Sequence, residues 1–284
     1  MTKADFLSDI PGKYRDPSKA KVVIIPVPYD VTSSWVKGAD KGPEAIIEAS
    51  ATVENYDIES NSEPYKVGIF TDEPVTENRT PEKMVAAVEK ISTGHLSAGR
   101  FPIVLGGEHS VSIGAIQAQA KKYDKLTILQ LDAHGDLRNE YHGSKFNHAC
   151  VMARAKELCP IVQVGIRSID ISEKKRIDNT RMFFAEDIFG KSEWIDTVLS
   201  LLTDNVYVTI DLDVFDTSIM PSTGTPEPGG LLWYEVLELL RLVFRKTNVT
   251  GLDVVEMCPN PTNKAPDFLA AKLIYKLISY KFGK

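Results

Sequence analysis

The sequence predicts an α/β fold in which a mostly parallel sheet is covered by helices on both faces. Short apolar segments rich in β-branched residues recur along the chain and alternate with helical patterns. These predicted strands are apolar on both faces, and this fits a parallel sheet buried between two layers of helices. The alternation is typical of a doubly wound αβα sandwich or, as the alternative, of a closed (β/α) barrel.

The predicted elements follow one another without a linker. The strands lie in KVVIIPVPYD, KVGIFTDEP, RFPIVLGGEH, LTILQLDAHGD, IVQVGIRSID, NVYVTIDLDVFD and VTGLDVVEMCP. The helices lie in PEKMVAAVEKISTG, SIGAIQAQAKKYD, HACVMARAKELC, EWIDTVLSLLTD, WYEVLELLRLVFRK and APDFLAAKLIYKLISYKF. The least regular loops, 54–63 and 217–230, are each followed at once by another element of the same alternation. We therefore expect a single domain over residues 1–284.

Composition excludes several classes of partner. The chain of 284 residues carries 33 Lys and Arg against 39 Asp and Glu, and it has no basic run, so we expect no nucleic-acid partner. No apolar stretch approaches the length of about 18 residues that a membrane span needs, and we expect a soluble, cytoplasmic protein. The 3 cysteines are odd in number and lack CxxC spacing, which favours reduced thiols.

Acidic and imidazole side chains follow three of the predicted strands. They are His109 after the third strand, then Asp132, His134 and Asp136, and finally Asp211 and Asp213. Taken alone, His109 is typical of a polar loop and the Asp-x-Asp pair of a turn or helix cap. Their joint occurrence at strand ends argues against these readings. Residues two apart on a strand point the same way, so each group converges.

A cluster of this kind needs positive charge, because carboxylates at the end of a buried strand lose hydration and repel one another. Two histidines and four aspartates exceed the needs of one small cation, and two ions that share bridging carboxylates fit the count better. The mixture of oxygen and imidazole ligands favours Mn²⁺, with Fe, Co, Ni or Zn as substitutes. We therefore expect a site for two Mn²⁺ ions.

The motifs GGEHS, DAHGD, TIDLDVFD and STGTPEPGG together resemble those of the ureohydrolases, the family that includes arginase and agmatinase. The resemblance runs from VPYDVTSSWVKGADKGPEAIIEAS to GLDVVEMCP, although Glu108 stands where many members have Asp. It implies a three-layer αβα fold around an eight-stranded, mostly parallel sheet. It also implies a hydrolase that releases urea from a guanidino group, and a homo-oligomer, either a trimer or a hexamer.

The resemblance implies a role for each site residue. One Mn²⁺ ion would be held by His109, Asp132, Asp136 and Asp211, and the other by His134, Asp132, Asp211 and Asp213. His148 would carry the proton to the leaving amine, since His142 lies in a loop that varies between members. Glu256 would bind the guanidinium group, and Asp136 would accept a hydrogen bond from the attacking hydroxide.

The substrate's tail is less well defined by the sequence. In the loop LRNEYHGSK, Arg138 and Asn139 suit a carboxylate, whereas Glu140 and Tyr141 suit a cation. By resemblance, DLRNEY is similar to agmatinase, so agmatine is the expected substrate. Aminopropylagmatine, guanidinobutyrate and arginine stay open as alternatives.

Two rival functions and four further side chains complete the expectations. A one-zinc deacetylase of related fold would lack the histidine of GGEHS, and a non-catalytic, metal-binding oligomer would have lost a ligand or the proton carrier. Glu227 would either line the pocket or cap the helix that follows. Tyr29 and Trp35 would wall the pocket or pack locally, and His95 is expected to be a capping or surface residue.

Overall fold

A parallel sheet of eight strands forms the middle layer of the computed structural model, which describes residues 5–283. The strand order is β2-β1-β3-β8-β7-β4-β5-β6, and every pairing is parallel. The strands are β1 Val22–Val27, β2 Ile69–Thr71, β3 Phe101–Gly106, β4 Leu126–Leu131, β5 Ile161–Ile166, β6 Met182–Phe184, β7 Asn205–Asp211 and β8 Asn248–Val255. The sheet is open, with β2 and β6 at its edges, so the barrel alternative is wrong.

Helices cover both faces of the sheet. The helices are α1 Gly42–Ser50, α2 Pro81–Ser97, α3 Ser112–Lys122, α4 Val151–Lys156, α5 Ala185–Ile188, α6 Glu193–Leu201, α7 Trp233–Lys246 and α8 Ala265–Phe282. Apolar side chains of α1, α6, α7 and α8 pack on one face, and those of α2, α3 and α4 on the other. The predicted three-layer αβα sandwich is therefore confirmed.

Local sequence explains where the elements begin and end. Thr80 accepts a hydrogen bond of 3.3 Å from the backbone N–H of Lys83, and Pro81 occupies the first position of α2. In α7 the buried side chains recur at helical spacing, so the predicted segment and the helix coincide. Four elements differ from expectation: α4 is shorter than predicted, and α1, α5 and β6 were not among the predicted segments.

The register of the sheet places the predicted site residues at one edge. Leu131 of β4 pairs with Ile210 of β7, and Ile210 pairs with Val254 of β8. The residues that follow these pairs, Asp132 and Asp211 among them, therefore emerge side by side. The strand order reverses near these central strands, and in open α/β sheets such a crevice at the carboxyl ends is where ligands bind.

Features away from this edge test other expectations. His95 is not a surface residue: it is buried on α2, and its Nε2 lies 2.7 Å from Oδ2 of Asp72. The imidazole faces Asp72 of a different segment, and the helix-end pattern in the sequence did not reveal this contact. The cysteines are free thiols, as expected. Among residues 5–283, no helix is long and apolar enough to cross a membrane.

Candidate metal centre

His109 is placed at the end of β3 with its imidazole facing a group of carboxylates. Its Nδ1 lies 3.1 Å from Oδ2 of Asp132, 2.9 Å from Oδ2 of Asp136 and 3.5 Å from Oδ2 of Asp211. Despite these distances, Nδ1 is buried and has no hydrogen bond of acceptable geometry. A buried nitrogen that faces several carboxylates without a hydrogen bond is the arrangement expected of a metal ligand.

The other ring nitrogen of His109 fixes the tautomer. Nε2 lies 2.8 Å from Oγ1 of Thr209, and that hydroxyl donates to Oδ1 of Asp253 at 2.7 Å. The threonine oxygen therefore accepts from Nε2–H, so Nδ1 keeps its lone pair for the carboxylate side. Tyr207 donates a second hydrogen bond, of 2.8 Å, to Asp253. Buried partners of this kind orient imidazole ligands in metal sites.

The end of β4 contributes Asp132, His134 and Asp136. The Nε2 amide of Gln130 and the backbone N–H of His134 each donate to Asp132 at 2.6 Å. Asp136 has φ +50°, and its carbonyl accepts from the N–H groups of Met152 and Ala153 at the start of α4. The left-handed backbone is therefore stabilised by the helix and turns the Asp136 carboxylate back toward His109.

The end of β7 contributes Asp211 and Asp213. The backbone N–H of Asp213 donates to Oδ1 of Asp211 at 2.9 Å, and Ala133 donates to Oδ1 of Asp213 at 2.9 Å. Oδ2 of Asp213 lies 2.9 Å from Nδ1 of His134. The two neighbouring strands are thus linked through the side chains that the sequence singled out.

These side chains form two overlapping candidate metal sites. The ligand atoms of His109, Asp132 and Asp211 lie within 4.8 Å of one another, and so do those of Asp132, His134 and Asp213. Asp132 belongs to both groups, and Asp136 joins the first through its contact with His109. The arrangement brings all six predicted ligands together and suits two cations with a shared carboxylate.

The electrostatics of the cluster also call for added positive charge. Burial, together with the neighbouring Asp213 and Asp132, raises the pKa of Asp211 well above its ordinary value. Burial and the adjacent Asp132 raise the pKa of Asp136 to about 7. Burial alone would lower the pKa of His109, but the carboxylates of Asp132 and Asp136 raise it well above its ordinary value. Without a cation, the cluster thus retains protons that metal binding would displace.

Glu256 follows β8 and borders the same cluster. Its backbone has φ +65°, which is uncommon for a glutamate, and its N–H donates to the carbonyl of Gly107 at 2.7 Å. Oε1 accepts a hydrogen bond of 2.7 Å from the backbone N–H of His109. Burial and the charge of Glu108 raise the pKa of Glu256 to about 8, so a cationic neighbour is needed to keep it ionised.

The two candidate proton carriers lie in different surroundings. His148 begins the short helix before α4, lines the cavity and is half-buried, whereas His142 is exposed in a loop with φ +48°. Burial and the nearby positive charges of His109 and His134 lower the pKa of His148 to about 4. At neutral pH its imidazole is therefore neutral and able to accept a proton.

A cavity of about 330 Å³ opens above the cluster. His109, His134, Asp136, Asp211, His148 and Glu256 line its floor. Trp35, which is 72% exposed, lines its wall, but Tyr29 is buried in the core instead. Glu227 does not cap α7; its Oε1 lies 3.8 Å from Nε2 of His134, and Glu235 instead accepts from the backbone N–H at the start of that helix.

Sequence reasoning missed several residues around the cavity. Asp170 and Glu173 line the cavity near Arg138, and Thr32 contacts His148. Asp170 ends the segment IVQVGIRSID, so its place after a predicted strand was an available signal. Thr32 belongs to an irregular loop, and its position depends on tertiary contacts that periodicity does not show.

Comparisons with known proteins agree with the fold and with the family that the motifs resemble. The arginase family model matches residues 20–279. The chain is 40% identical to the N(1)-aminopropylagmatine ureohydrolase of Synechocystis sp., covering 92% of this chain and 89% of that one. It is 32% identical to the agmatinase of Pyrococcus horikoshii, with 93% of each chain covered. The agmatine ureohydrolase structure of Thermoplasma volcanium superimposes with a TM-score of 0.87, at 30% identity, over 99% of this chain and 95% of that one. The chain therefore belongs to the arginase family and is a hydrolase of the ureohydrolase type, as its motifs predict.

Proposed function

We propose that this protein hydrolyses agmatine to putrescine and urea at a site that holds two Mn²⁺ ions. The observation that carries the proposal is the pair of overlapping ligand groups that share Asp132, next to Glu256 and His148 in one cavity. A guanidinium-binding carboxylate and a titratable imidazole beside a two-cation site are the parts that guanidine hydrolysis needs.

The metal ligands divide between two positions. His109, Asp132, Asp136 and Asp211 would hold one ion, and His134, Asp132, Asp211 and Asp213 the other. Mn²⁺ suits this mixture of imidazole and carboxylate ligands, because it accepts both oxygen and nitrogen. Two divalent cations bound at these positions would lower the pKa of a bound water toward neutrality, and this is the chemistry that they would supply.

The protein side chains bind the guanidinium group and move protons. Glu256 has one carboxylate oxygen engaged with His109, so its other oxygen accepts from the guanidinium N–H. Water adds to the guanidinium carbon, the bond from that carbon to the alkyl nitrogen breaks, and urea and the amine separate. His148, whose imidazole is neutral at neutral pH, takes the proton that the attacking water gives up and passes it to the leaving amine, and Asp136 accepts a hydrogen bond from the attacking oxygen.

The charges around Arg138, beside the cavity, favour a cationic tail over a carboxylate. The guanidinium of Arg138 stacks on Tyr141, 4.3 Å from the ring centroid, and lies 3.7 Å from carboxylate oxygens of Asp170 and Glu173. Asn139 accepts two hydrogen bonds of 3.2 Å from Arg154. The single positive charge of Arg138 is therefore outweighed by two carboxylates, and Asn139 is held in place by Arg154, so the charge on this side of the cavity favours a cationic tail.

Aminopropylagmatine is a second candidate substrate, and a specific observation favours it. The relatives at 39% and 40% identity bear the name N(1)-aminopropylagmatine ureohydrolase, whereas agmatinases match at 32% to 35%. Both compounds share the guanidinium group and a cationic tail, so the same acidic side of the cavity accepts either. The longer tail of aminopropylagmatine carries one further ammonium group.

Urea release tests the proposal directly. The Mn²⁺-loaded protein would be assayed in parallel with agmatine, aminopropylagmatine, guanidinobutyrate and arginine. We expect the highest kcat/KM with agmatine or aminopropylagmatine, and little urea from the two substrates that carry a carboxylate. If arginine were preferred, the argument from Arg138 and Asn139 would be wrong, and if no compound released urea, the proposed activity would be wrong.

We further propose that the protein is a cytoplasmic homo-oligomer, either a trimer or a hexamer. Support comes from the resemblance of its motifs to the ureohydrolases, and large apolar side chains such as Ile171, Phe189 and Tyr234, which are 80%, 81% and 79% exposed, are available for contact on the surface of the described chain. Light scattering on the purified protein measures the mass. A monomer at micromolar concentration would contradict this assignment.

A further inference from the structure

The hydroxyl of Thr32 links a buried carboxylate to the proposed proton carrier. Its Oγ1 lies 2.5 Å from Oε1 of Glu108, 3.0 Å from the backbone N of His148 and 3.1 Å from Nδ1 of the same histidine. Thr32 lies in the loop after β1, Glu108 after β3 and His148 before α4. Three segments of the chain thus meet at one hydroxyl group.

The hydrogen-bonding capacity of a threonine hydroxyl determines the direction of each bond. A hydroxyl has one hydrogen to donate and two lone pairs that accept. The backbone N–H of His148 can only donate, and so it takes one lone pair. The carboxylate of Glu108 takes the hydrogen, which leaves one lone pair for Nδ1. Nδ1 of His148 must therefore carry a hydrogen.

The surroundings of Glu108 support its role as an acceptor. The carboxylate is fully buried, and the backbone N–H groups of Thr32 and Ser33 both donate to its Oε2. Oε1 accepts from the hydroxyl of Ser110 at 2.6 Å as well as from Thr32. The two N–H groups can only donate, so Oε2 is held as an acceptor. Burial raises the pKa of Glu108 while the hydrogen bonds from Ser110 and Thr32 lower it, and only the ionised carboxylate accepts from all four donors at once.

The orientation of His148 follows from these bonds. With Nδ1–H held by Thr32, the atom that is free to gain or lose a proton is Nε2. That atom lies 3.2 Å from Oγ of Ser34, and both residues line the cavity. A second bond to Thr32, through the backbone N–H of His148, fixes the start of the segment that carries the imidazole.

We infer that Glu108 and Thr32 are positioning residues that hold His148 in its Nδ1–H tautomer, so that Nε2 is the atom that exchanges the proton with the leaving amine. The tautomer follows from the hydrogen bonds made with Glu108 ionised, whereas the exchange with the amine rests on the proposed function. The inference also gives Glu108 a role that is separate from metal binding, although it lies next to His109 in the sequence.

Kinetics of Thr32 variants test the positioning role. Thr32→Val keeps the shape of the side chain and removes the hydroxyl, whereas Thr32→Ser restores it. Because a well-placed proton carrier contributes about 10²-fold to 10⁴-fold, we expect Thr32→Val to lower kcat for agmatine at least tenfold with little change in KM. Thr32→Ser should recover most of kcat, and both variants should retain the Mn²⁺ content of the wild type. Thr52→Val, at the exposed end of α1, is the matched control and should leave kcat unchanged.

Long-range ¹H–¹⁵N NMR of the imidazoles reads the tautomer without turnover. The full-length protein, freed of paramagnetic metal and labelled with ¹⁵N-histidine, would be compared with His148→Gln to assign the signals. We expect the Nδ1–H form for His148 in the wild type and a mixture of forms in Thr32→Val.

The outcomes separate this inference from the proposed function. An Nε2–H form of His148 in the wild type would overturn the inference. An unchanged kcat in Thr32→Val would also overturn it, as would an equal fall of kcat in Thr32→Val and Thr32→Ser. If the wild type released no urea from any guanidine, the proposed function would fail, and the NMR result would still decide the tautomer. The wild-type spectrum also decides it if Thr32→Val does not fold.

Discussion

The backbone N–H of His109 donates a hydrogen bond of 2.7 Å to Oε1 of Glu256, and this joins residues that are 147 positions apart. The bond links the metal cluster to the carboxylate proposed to bind the substrate. It also leaves only one oxygen of Glu256 for the guanidinium group. Glu256 therefore combines a structural role with the proposed substrate-binding role, and a suitable substitution can separate the two.

Glu256→Gln should weaken substrate binding without loss of metal. The amide oxygen of glutamine can still accept from His109, but the negative charge that faces the guanidinium is gone. Since a hydrogen bond to a charged group contributes about 1.5–3 kcal/mol, kcat/KM for agmatine should fall by roughly 10-fold to 150-fold. Steady-state kinetics and metal analysis measure both effects, with the exposed Glu54→Gln as control. An unchanged kcat/KM would contradict the assignment of Glu256.

Asp132→Ala should lose metal and activity together. Asp132 belongs to both candidate ligand groups, so its removal affects both cations rather than one. We expect less than half of the wild-type Mn²⁺ content after dialysis and no measurable urea release. Asp204→Ala, at a side chain that is 84% exposed, is the control and should behave as the wild type. Full metal content with normal turnover in Asp132→Ala would refute the bridging role.

His148→Ala should keep its metal and lose most of its turnover. The imidazole lines the cavity but does not belong to either ligand group, so its loss removes the proton carrier and leaves the cluster intact. General acid–base catalysis contributes typically about 10²-fold to 10⁴-fold, and kcat should fall by that order. His142→Ala, at the exposed neighbouring histidine, should change kcat little. The opposite pattern would show that His142 is the carrier.

Much of the fold and of the metal cluster could be predicted because both depend on local patterns. Strands buried on both faces appear as apolar runs, and side chains two apart on a strand end must converge, as Asp132, His134 and Asp136 do. Neighbouring strand ends then brought Asp211 beside Asp132 through the register of β4 and β7. The roles of the individual residues, and the single domain over residues 1–284, stay predictions.

The rest of the site depends on contacts that no local pattern encodes. The bond between Thr32 and Glu108 joins residues 76 positions apart, and the first lies in an irregular loop. The charge balance beside the cavity depends on Arg138. The sequence suggested that Arg138 would bind a substrate carboxylate, but in the structure its guanidinium stacks on Tyr141. His95 was misplaced for the same reason, since Asp72 lies on a different element.

Asp57 provides a stability prediction that is independent of the metal cluster. Its Oδ1 accepts a hydrogen bond of 2.8 Å from Nζ of the buried Lys276, and Oδ2 accepts from the hydroxyl of Ser60 at 2.8 Å and from Ser279. Burial alone would raise the pKa of Asp57, but Lys276 and the hydroxyl donors lower it to about 2. Because the pKa of Asp57 is lower in the folded state, the ionised carboxylate stabilises the fold at pH values above the pKa that it has in the unfolded chain. This stabilisation is lost as the pH falls through the lower pKa of the folded state.

Asp57→Asn should therefore lower the free energy of unfolding at pH 7 by about 2 kcal/mol, the value that a shift of this size implies. The difference from the wild type should narrow below about pH 4, where the unfolded carboxyl becomes protonated, and should close toward pH 2. Urea denaturation of both proteins in chelator, from pH 7 downward, measures this difference, with Asp204→Asn as an exposed control. A difference that stays constant with pH would mean that lost packing, and not the charge of Asp57, destabilises the variant. Lys276 also contacts Glu59, so the ammonium keeps one partner in Asp57→Asn, and the loss should stay below that of an unpaired buried charge.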